Sequence, residues 1–432
     1  MNYPESLDYL QNIYWHGIKL GLQNIEELLQ RLGNPQERLT VIHLAGTNGK
    51  GSATAMLSAI LQAAGFRVGA YTSPHLIRYN ERFQINGTPI SDEDFAAVAT
   101  QVAGVCAQMT AEGLPQPTVF EVLTAMAFVY FEQQAVEYVL LEVGMGGRFD
   151  ATNVVKNPLL CLILSIGMDH MEYLGNTLEQ IAAEKAGIIK PHRPVVLYHQ
   201  SEAVYRVIEA VCRQNKAPLY YNPTQTIDVL SADLSGSRFT LTTPNGVWEK
   251  VELALPGAYQ LENCAAVLLA CRALQEAGVP LPEAAIRTGL KTVRWPGRME
   301  VVAQNPTLIL DGAHNIDGIA MLARSLPLCC PGRDITLVLG ILGDKEYEKM
   351  TALLLPLAQN VVLTEPDNAR RLPAEALERV AAHLGRPAPW EKDPAAAVRL
   401  ARKLAGPEGI VLCAGSLYLI GAIRKKLETG EL

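Results

Sequence analysis

The stretch VIHLAGTNGKGSATAML, residues 41–57, decides the fold class of this 432-residue chain. A β-rich run leads into a glycine-rich turn, after which apolar residues recur at helical spacing until a second strand pattern, FRVGAYTSP. A strand, such a turn and a helix N-terminus aim backbone N–H groups at one point, which suits a phosphate. The spacing is shorter than usual, because Gly46 lies three residues before Gly49 and Gly51 precedes Ser52. The stretch therefore predicts a shortened phosphate-binding loop.

Composition limits the possible classes of protein. A hydrophobic fraction of 49% and a charged fraction of 19% are typical of a globular enzyme. At roughly 100 to 200 residues per domain the length suggests two or three domains, of which we expect two. The net charge of −7 argues against nucleic acid and membrane partners. The most apolar run, residues 158–168, is shorter than the ~18 residues of a spanning helix, and the start is too polar for a secretory signal. We expect a cytoplasmic protein.

The eight cysteines are scattered, mostly in apolar stretches, without any Cys-x-x-Cys pair. This distribution favours buried free thiols over disulfides or a thiolate metal site.

Strand and helix patterns alternate through the first half of the chain. Candidate buried strands lie at 137–144, 159–167 and 194–198, with helical patterns at about 119–133 and 177–189. Such alternation predicts a parallel sheet that is covered on both faces.

The pattern changes near residue 225. A polar/apolar alternating stretch with Asn245-Gly246 as its turn predicts a small antiparallel patch, and a helical pattern follows at about 259–277. After the Pro-Gly break in VRWPGRMEVV, strands TLILDGA, ITLVLGIL, NVVLTE and GIVLCAGS alternate with helices. We predict an α/β protein with a P-loop NTPase-like domain at 1–296 and a smaller Rossmann-like domain at 297–432.

Polar side chains follow several of the predicted strands. Ser73 comes after FRVGAYT, Glu142 ends an apolar strand, and Asp169 and His170 follow LLCLILSIGM. Because ligands collect at the carboxyl ends of parallel strands, Ser73, Glu142 and His170 together would form an Mg²⁺ site. Each has an ordinary alternative: a strand-ending turn, a salt-bridged carboxylate and a structural histidine.

Further candidates come later in the chain. Lys185 lies in an apolar helix, where composition alone favours a side chain that reaches out to solvent. Arg298 lies beside the predicted boundary and could contact a phosphate. Asp311 and His314 follow what we take as the first strand of the second domain, and Ser416 follows its last.

Eight motifs occur in an order that resembles the folylpolyglutamate synthase and dihydrofolate synthase family, part of the wider Mur ligase group. They are GTNGKGS, TSPHLIRYNER, LEVGMGGRFDATN, SIGMDH, EKAGIIK, WPGRME, DGAHN and GSLY. The resemblance covers nearly the whole chain, including HGIKLGLQNIEELLQRLGNP near its start. The shortened loop alone is typical of the wider group, whereas the combination is specific to the family.

The resemblance implies an ATP-dependent ligase that needs Mg²⁺. The γ-phosphoryl group of ATP would pass to a folate or pteroate carboxylate, and the amine of L-glutamate would attack the resulting acyl phosphate. Its partners would be the small molecules dihydropteroate, folates, L-glutamate and ATP, and we expect a monomer.

The resemblance also implies residue roles. Lys50, Lys185 and His170 would be catalytic, and Lys185 would be carboxylated. ATP would contact Asn48, Gly49, Lys50, Gly51, Ser52, Asn263, Arg298 and Asp311. The metal would contact Ser73, Glu142, His170 and Lys185, and substrate would contact Phe120, Glu121, Asp150, Ala151, His314 and Ser416.

Several alternatives remain open. Some family members only extend folates, although SPHLIRY resembles the bifunctional members, and the loop TSPHLIRYNERF with His75, Arg78 and Tyr79 would be an adjustable substrate wall. A peptidoglycan Mur ligase would normally carry about 100 more residues before the loop than the roughly 40 present here. A nucleotide switch without ligase activity would not explain DGAHN and GSLY.

Overall fold

The computed structural model describes residues 1–13 and 21–432. They form two compact units: unit 1 comprises Met1–Thr224 and Asn263–Thr292, and unit 2 comprises Gln225–Glu262 and Val293–Leu432. The first residues of the N-terminal motif that begins at His16 lie outside the described residues.

An eight-stranded sheet forms the centre of unit 1, in the order β4-β3-β2-β5-β1-β6-β7-β8. Its strands are β1 (Val41–Ala45), β2 (Val68–Tyr71), β3 (Phe83–Ile85), β4 (Thr88–Pro89), β5 (Tyr138–Glu142), β6 (Leu160–Ile163), β7 (Val195–Leu197) and β8 (Leu219–Tyr220). Six of the strands run parallel, whereas β3 and β4 are antiparallel. The carboxyl ends of the parallel strands therefore share one edge.

Two long helices of unit 1 begin at residues whose side chains cap them. Ser91 accepts a hydrogen bond from Asp94 N at the start of α4, and Thr118 and Glu121 form a capping box at the start of α5. The helices are α1 (Tyr3–Ile13), α2 (Gln23–Arg31), α3 (Lys50–Ala63), α4 (Asp92–Ala111), α5 (Val119–Gln133), α6 (Met171–Leu174), α7 (Leu178–Lys185), α8 (Glu202–Gln214), α9 (Ala258–Glu276, from Asn263 onward) and α10 (Glu283–Thr292).

Unit 2 contains two sheets. The three-stranded antiparallel sheet consists of β9 (Thr226–Asp233), β10 (Gly236–Thr243) and β11 (Gly246–Leu253). The six-stranded sheet has the order β12-β13-β17-β14-β15-β16 and is parallel except for β12. Its strands are β12 (Glu300–Ala303), β13 (Thr307–Leu310), β14 (Ile335–Leu339), β15 (Asn360–Thr364), β16 (Trp390–Glu391) and β17 (Ile410–Ala414), and the helices are α11 (Ile316–Cys329), α12 (Tyr347–Leu354), α13 (Ala374–His383), α14 (Pro394–Ala405) and α15 (Leu417–Glu428).

The α/β fold class is confirmed, with three differences in detail. The large sheet is mixed, because the short strands β3 and β4 form an antiparallel edge. The antiparallel patch has a third strand, β9. The strand TLIL is not the first of the C-terminal sheet, since β12 pairs with it from the amino-terminal side.

The segment Gln225–Glu262 belongs to unit 2, although a boundary near Pro296 assigns it to the first domain. Its Leu234 and Tyr259 pack against the core of unit 2, and Ala258 N donates to Ser325 Oγ at 2.9 Å. The boundary near Pro296 stays a prediction, because a compact unit need not be contiguous in sequence.

All eight cysteines are buried and free, as predicted. Across residues 1–13 and 21–432, no helix has the length and apolar character needed to cross a membrane.

Candidate active site

The loop Gly46–Gly49 joins β1 to α3 and is held by the segment that follows β6. Thr47 N donates to Ser165 O at 2.7 Å, and the hydroxyl of Thr47 accepts from Gly167 N at 3.0 Å. Gly49 has φ 89°, and a Cβ there would lie 2.5 Å from Asn263 Oδ1. The loop thus exposes the N-terminus of α3 next to Asn263, as a phosphate site requires.

Two lysines meet at a single carbonyl of this loop. Lys50 Nζ donates to Gly46 O at 2.9 Å and to Thr47 O at 3.3 Å, and Lys185 Nζ donates to Gly46 O at 3.1 Å. Lys185 is 4% exposed. Burial, and next the charge of Lys50, lower the pKa of Lys185 to about 7. A large fraction of its amine is therefore neutral at physiological pH, and the expectation of a solvent-reaching lysine is wrong.

A buried carboxylate lies beside these lysines. Glu142 ends β5 and is 4% exposed. Its Oε1 lies 4.0 Å from Lys50 Nζ, and its Oε2 accepts from Ser73 N at 3.3 Å. The structure therefore brings Lys50, Ser73 and Glu142 together, with Lys185 on the shared carbonyl.

His170 lies at the N-terminus of α6 with φ 51° and is exposed. The preceding Asp169 is near enough to Lys185 for its charge to oppose the lowering of that pKa. Within the described ranges, no group of three or more His, Cys, Asp or Glu side chains has the arrangement of a metal site. The predicted Mg²⁺ set contains two such side chains, Glu142 and His170, so it stays a prediction.

Glycines connect the loop after β5 to the end of α7. A Cβ on Gly147 would lie 2.8 Å from Glu184 O, and one on Gly187 would lie 2.4 Å from Arg148 Cα. Arg148 N donates to Glu184 O at 2.9 Å, and Asn153 Nδ2 donates to both Arg148 O and Gly187 O. We call this contact between 147–148 and 184–187 the glycine lock. It fixes the backbone of Lys185 relative to the strand that carries Glu142.

Asp150, a predicted substrate contact, also holds the protein's own loop through its carboxylate. It accepts from Met145 N at 2.9 Å, Thr152 N at 3.0 Å and Thr152 Oγ1 at 2.5 Å, and burial raises its pKa. Thr152 Oγ1 also lies 2.9 Å from His43 Nε2, and burial lowers the pKa of His43 to about 3. Asp150 thus supports the loop between Glu142 and the glycine lock, and Ala151 is buried directly after it.

Phe120 and Glu121, two of the predicted substrate contacts, differ in their surroundings. The ring of Phe120 packs on Gly144, where a Cβ would lie 2.5 Å from Phe120 Cζ. Glu121 is buried, and its Oε2 accepts from Thr118 N, Thr118 Oγ1 and Asn24 Nδ2. Glu121 therefore has a capping role in α5 that the sequence analysis did not assign to it.

The loop after Ser73 is more ordered internally than its polar sequence indicated. Glu81 accepts hydrogen bonds from the backbone N–H groups of residues 76, 77 and 78. Arg78 pairs with Asp92 at 2.6 Å across the exposed surface, and its role in a substrate wall stays a prediction. His75 instead accepts from Arg82 Nε at 2.9 Å.

The candidates of unit 2 gather at the carboxyl ends of β13 and β17. Asp311 accepts from Met299 N at 2.9 Å, Ala313 N at 2.9 Å and Tyr259 OH at 3.2 Å, and burial raises its pKa. The guanidinium of Arg298 lies against Gly312, where a Cβ would be 2.4 Å from Nη1. The charge of Arg298 opposes the rise in the pKa of Asp311. The structure thus places a carboxylate and a cation side by side.

His314 and Ser416 flank this pair. His314 Nδ1 lies 2.8 Å from Gly312 O, which can only accept, so this nitrogen carries the proton. Ser416 is buried and caps α15 by accepting from Tyr418 N at 3.1 Å. Leu417 also crowds Gly312. Unit 2 therefore brings Arg298, Asp311, His314 and the Ser416 turn together.

Sequence reasoning missed three contributors to these sites. Thr47, which anchors the phosphate loop, could have been recognised as the hydroxyl within GTNGK. Tyr259 bonds to Asp311, and Gly187 closes the glycine lock. Neither has a local signal, because both act on residues distant in sequence.

Known proteins resemble this chain over nearly its whole length. The family profile of the Mur ligase middle domain matches residues 44–271, and that of the Mur ligase glutamate ligase domain matches residues 297–417. The chain is 38% identical over 429 residues to the dihydrofolate synthase/folylpolyglutamate synthase of Bacillus subtilis, covering 99% of each protein.

Solved structures match over the same extent. Folylpolyglutamate synthase from Mycobacterium tuberculosis, complexed with ADP and AMPPCP, is 33% identical with a TM-score of 0.89 over 98% of both chains. Escherichia coli FolC in complex with DHPP and ADP is 30% identical with a TM-score of 0.88, covering 100% of this chain and 99% of that one. The chain therefore belongs to the dihydrofolate synthase/folylpolyglutamate synthase family of Mur ligases, which are ATP-dependent folate glutamate ligases.

Proposed function

We propose that this protein uses ATP to join L-glutamate to dihydropteroate and to lengthen reduced folates with γ-linked glutamate. The observation that carries this proposal is the meeting of Lys50, Lys185 and Glu142 around the phosphate loop. A cluster of two amines and a buried carboxylate suits the transfer of a highly charged phosphoryl group.

The proposed reaction has two steps. A carboxylate oxygen of the acceptor attacks the γ-phosphorus of ATP, and ADP leaves. The amine nitrogen of glutamate then attacks the acyl carbon, the bond to phosphate breaks, and the amine loses a proton as the amide forms. Lys50, the first residue of α3, donates to the carbonyls of Gly46 and Thr47 and would turn to the phosphoryl group to offset its charge.

Ser73, Glu142, His170 and a carboxylated Lys185 would hold Mg²⁺, and the burial of Glu142 fits a carboxylate that needs a cationic partner. When bound, the metal would offset negative charge on the phosphoryl oxygens. The other ATP contacts would come from Asn48, Gly49, Gly51, Ser52 and Asn263, together with Arg298 and Asp311 of unit 2.

Lys185 has the properties that carboxylation requires. A neutral amine attacks CO₂ to give a carbamate and releases one proton, and a pKa of about 7 makes the neutral amine abundant. The product replaces a cation with an anion. An uncarboxylated, protonated Lys185 would repel a metal beside Glu142.

His314 and Ser416 would bind glutamate. Phe120 would provide an aromatic face for the pterin and Ala151 a close-packed wall. Glu121 and Asp150 would contact the same substrate while they also hold α5 and the loop after β5. A monomeric, cytoplasmic enzyme remains our prediction.

Substrate scope is tested by mass spectrometry of the products. With dihydropteroate, ATP, Mg²⁺ and glutamate we expect a mass equal to dihydrofolate, and with tetrahydrofolate we expect products heavier by successive glutamyl residues. Extension of tetrahydrofolate without any dihydrofolate from dihydropteroate would leave polyglutamylation as the sole activity. ATP hydrolysis that ignores added glutamate would instead contradict ligase activity altogether.

The glycine lock gives a separate prediction. Gly187→Ala should lower turnover at least tenfold, because a Cβ 2.4 Å from the backbone of Arg148 must displace the end of α7 that carries Lys185. Steady-state kinetics and thermal unfolding would be measured on Gly187→Ala and on Gly104→Ala, whose added Cβ meets nothing within 4 Å. Gly104→Ala should keep normal turnover. Equal kinetics in the two variants would show that the lock does not position Lys185.

A further inference from the structure

An open cavity of about 750 Å³ lies in unit 1 along α8 and the edge strand β8, and one end of it reaches the residues that follow β7. Its walls come from the residues after β7, from α8 and from the segment 217–223 that contains β8, and they include His199, Gln200, Tyr205, Glu209 and Tyr221. No residue of this α8 cavity belongs to the candidate active site. The volume lies within the range of roughly 300 to 1,000 Å³ that is usual for small-molecule sites.

Three rings of the α8 cavity form a fixed aromatic surface. His199 and Tyr221 are nearly parallel, at 6° with centroids 6.0 Å apart, and Tyr205 lies 4.7 Å from Tyr221. Their polar atoms anchor them, since Tyr205 OH donates to Glu209 Oε1 at 3.1 Å and Tyr221 OH donates to Gln200 O at 3.4 Å. Rings held in this way bind a planar ligand with little further loss of side-chain entropy.

The polar atoms of the lining favour a ligand that donates hydrogen bonds. His199 Nδ1 lies 3.3 Å from Asn222 O, which can only accept, so in the neutral ring Nε2 is an acceptor. The carboxylate of Glu209 is a second acceptor on the cavity wall, although Arg213 lies 3.5 Å from its Oε1. Exocyclic amino groups and ring N–H groups match such acceptors.

The position of the α8 cavity also points to a ligand. Gln200 Nε2 donates to Leu164 O at 2.9 Å, and the next residue, Ser165, accepts from Thr47 N of the phosphate loop. One end of the cavity thus lies at the edge of the sheet at which ligands of open α/β folds bind.

We propose that the α8 cavity binds a planar heteroaromatic ring that carries amino groups, of the adenine or pterin type, at a site separate from the phosphate loop. Binding there does not require ligation, so it can be tested whether or not the proposed reaction is correct.

Equilibrium titrations with 6-methylpterin and with adenosine would test the proposal, because neither compound carries a phosphate or a carboxylate. Tyr221→Ala and Glu209→Gln should each weaken binding at least tenfold. Tyr220→Ala is the matched control, since its side chain points to the opposite side of β8, where it bonds Glu276. Tyr221→Phe should retain binding because the ring remains, and thermal unfolding would verify that each variant is folded.

Repeating the titrations with saturating AMPPCP and Mg²⁺ distinguishes a separate ring-binding site from the nucleotide site. Binding that persists for either compound supports a separate site and identifies which ring it accepts. Displacement of both compounds by AMPPCP, with AMPPCP affinity reduced by Tyr221→Ala, would make the cavity part of the nucleotide site and overturn the proposal. Absence of binding up to about 1 mM, or equal losses in Tyr220→Ala and Tyr221→Ala, would overturn it as well.

Discussion

Lys185→Met is expected to abolish glutamate ligation and, at pH 7, to raise the free energy of unfolding. Activity should be lost because methionine cannot be carboxylated. Stability should increase because the amine is 4% exposed and its pKa falls from 10.5 to about 7 on folding, mainly through burial and then through Lys50. This difference of about 3.5 between the two pKa values corresponds to about 4 kcal/mol against the folded state at pH 7. The variant also loses the hydrogen bond to Gly46 O, so we expect its free energy of unfolding to exceed that of wild type by about 1–3 kcal/mol.

The sign of the pH dependence follows from proton binding. Between pH 7 and 10.5 the folded wild-type protein holds fewer protons at Lys185 than the unfolded chain, so wild-type stability rises with pH across this window. Below pH 7 the cost of burial is fully present, and above 10.5 it vanishes. The advantage of Lys185→Met should therefore shrink from pH 7 to pH 10.

Denaturant unfolding in CO₂-depleted buffer at pH 7 and pH 9.5 measures this effect. The control is Lys291→Met, an exposed position in the last turn of α10, which should change neither activity nor the pH profile. A Lys185→Met variant that is less stable than wild type at both pH values would contradict the burial cost.

Carboxylation itself has two further consequences. Wild-type activity should fall in CO₂-depleted buffer and return with bicarbonate, and Lys185→Ala should be partly rescued by a small carboxylic acid. An unmodified amine in a nucleotide-bound crystal equilibrated with bicarbonate would count against carboxylation.

Glu142→Gln should reduce turnover by about three orders of magnitude while the protein still unfolds cooperatively. The amide matches the carboxylate in shape and can still accept from Ser73 N, but it removes the negative charge 4.0 Å from Lys50. A metal ligand and a partner for Lys50 would be lost together, which justifies the size of the effect. Turnover at rising Mg²⁺ concentrations is the measurement.

The matched control is Glu137→Gln, an exposed carboxylate next to the start of the same strand, which should keep normal turnover. His170→Ala should resemble Glu142→Gln in activity and wild type in stability, because His170 is exposed. Near-normal turnover of either active-site variant at saturating Mg²⁺ would remove that residue from the metal site.

The main elements of the fold could be predicted because their signals are local. The buried runs of β1, β5 and β6 and the helical spacing of α5 each depend on residues close in sequence, and Asn245-Gly246 gave the hairpin turn. The short strands β3, β4 and β12 could not be recognised. They have two to four residues each, and their pairing rather than their composition makes them strands.

The candidate site was predictable in outline for the same kind of reason. Polar residues directly after buried strands must lie at one edge of a parallel sheet, so Ser73 and Glu142 were placed in contact by topology alone. Sequence could not decide whether the Lys185 side chain reaches solvent or lies buried at the site. The helix that carries Lys185 has no local feature that distinguishes a buried amine from an exposed one.

The sequence by itself determined the α/β class, the phosphate loop and the strand-end polar residues, since these follow from hydrophobic periodicity and from turn chemistry within a few residues. Only the tertiary structure decided which polar groups are bonded within the protein and how deeply each is buried. Asp150 and Arg78 have partners inside the protein, whereas Lys185 is buried against Gly46 by a glycine lock formed between segments about 40 residues apart. Burial and charge pairing depend on distances between remote segments, and these exist only once the chain has packed.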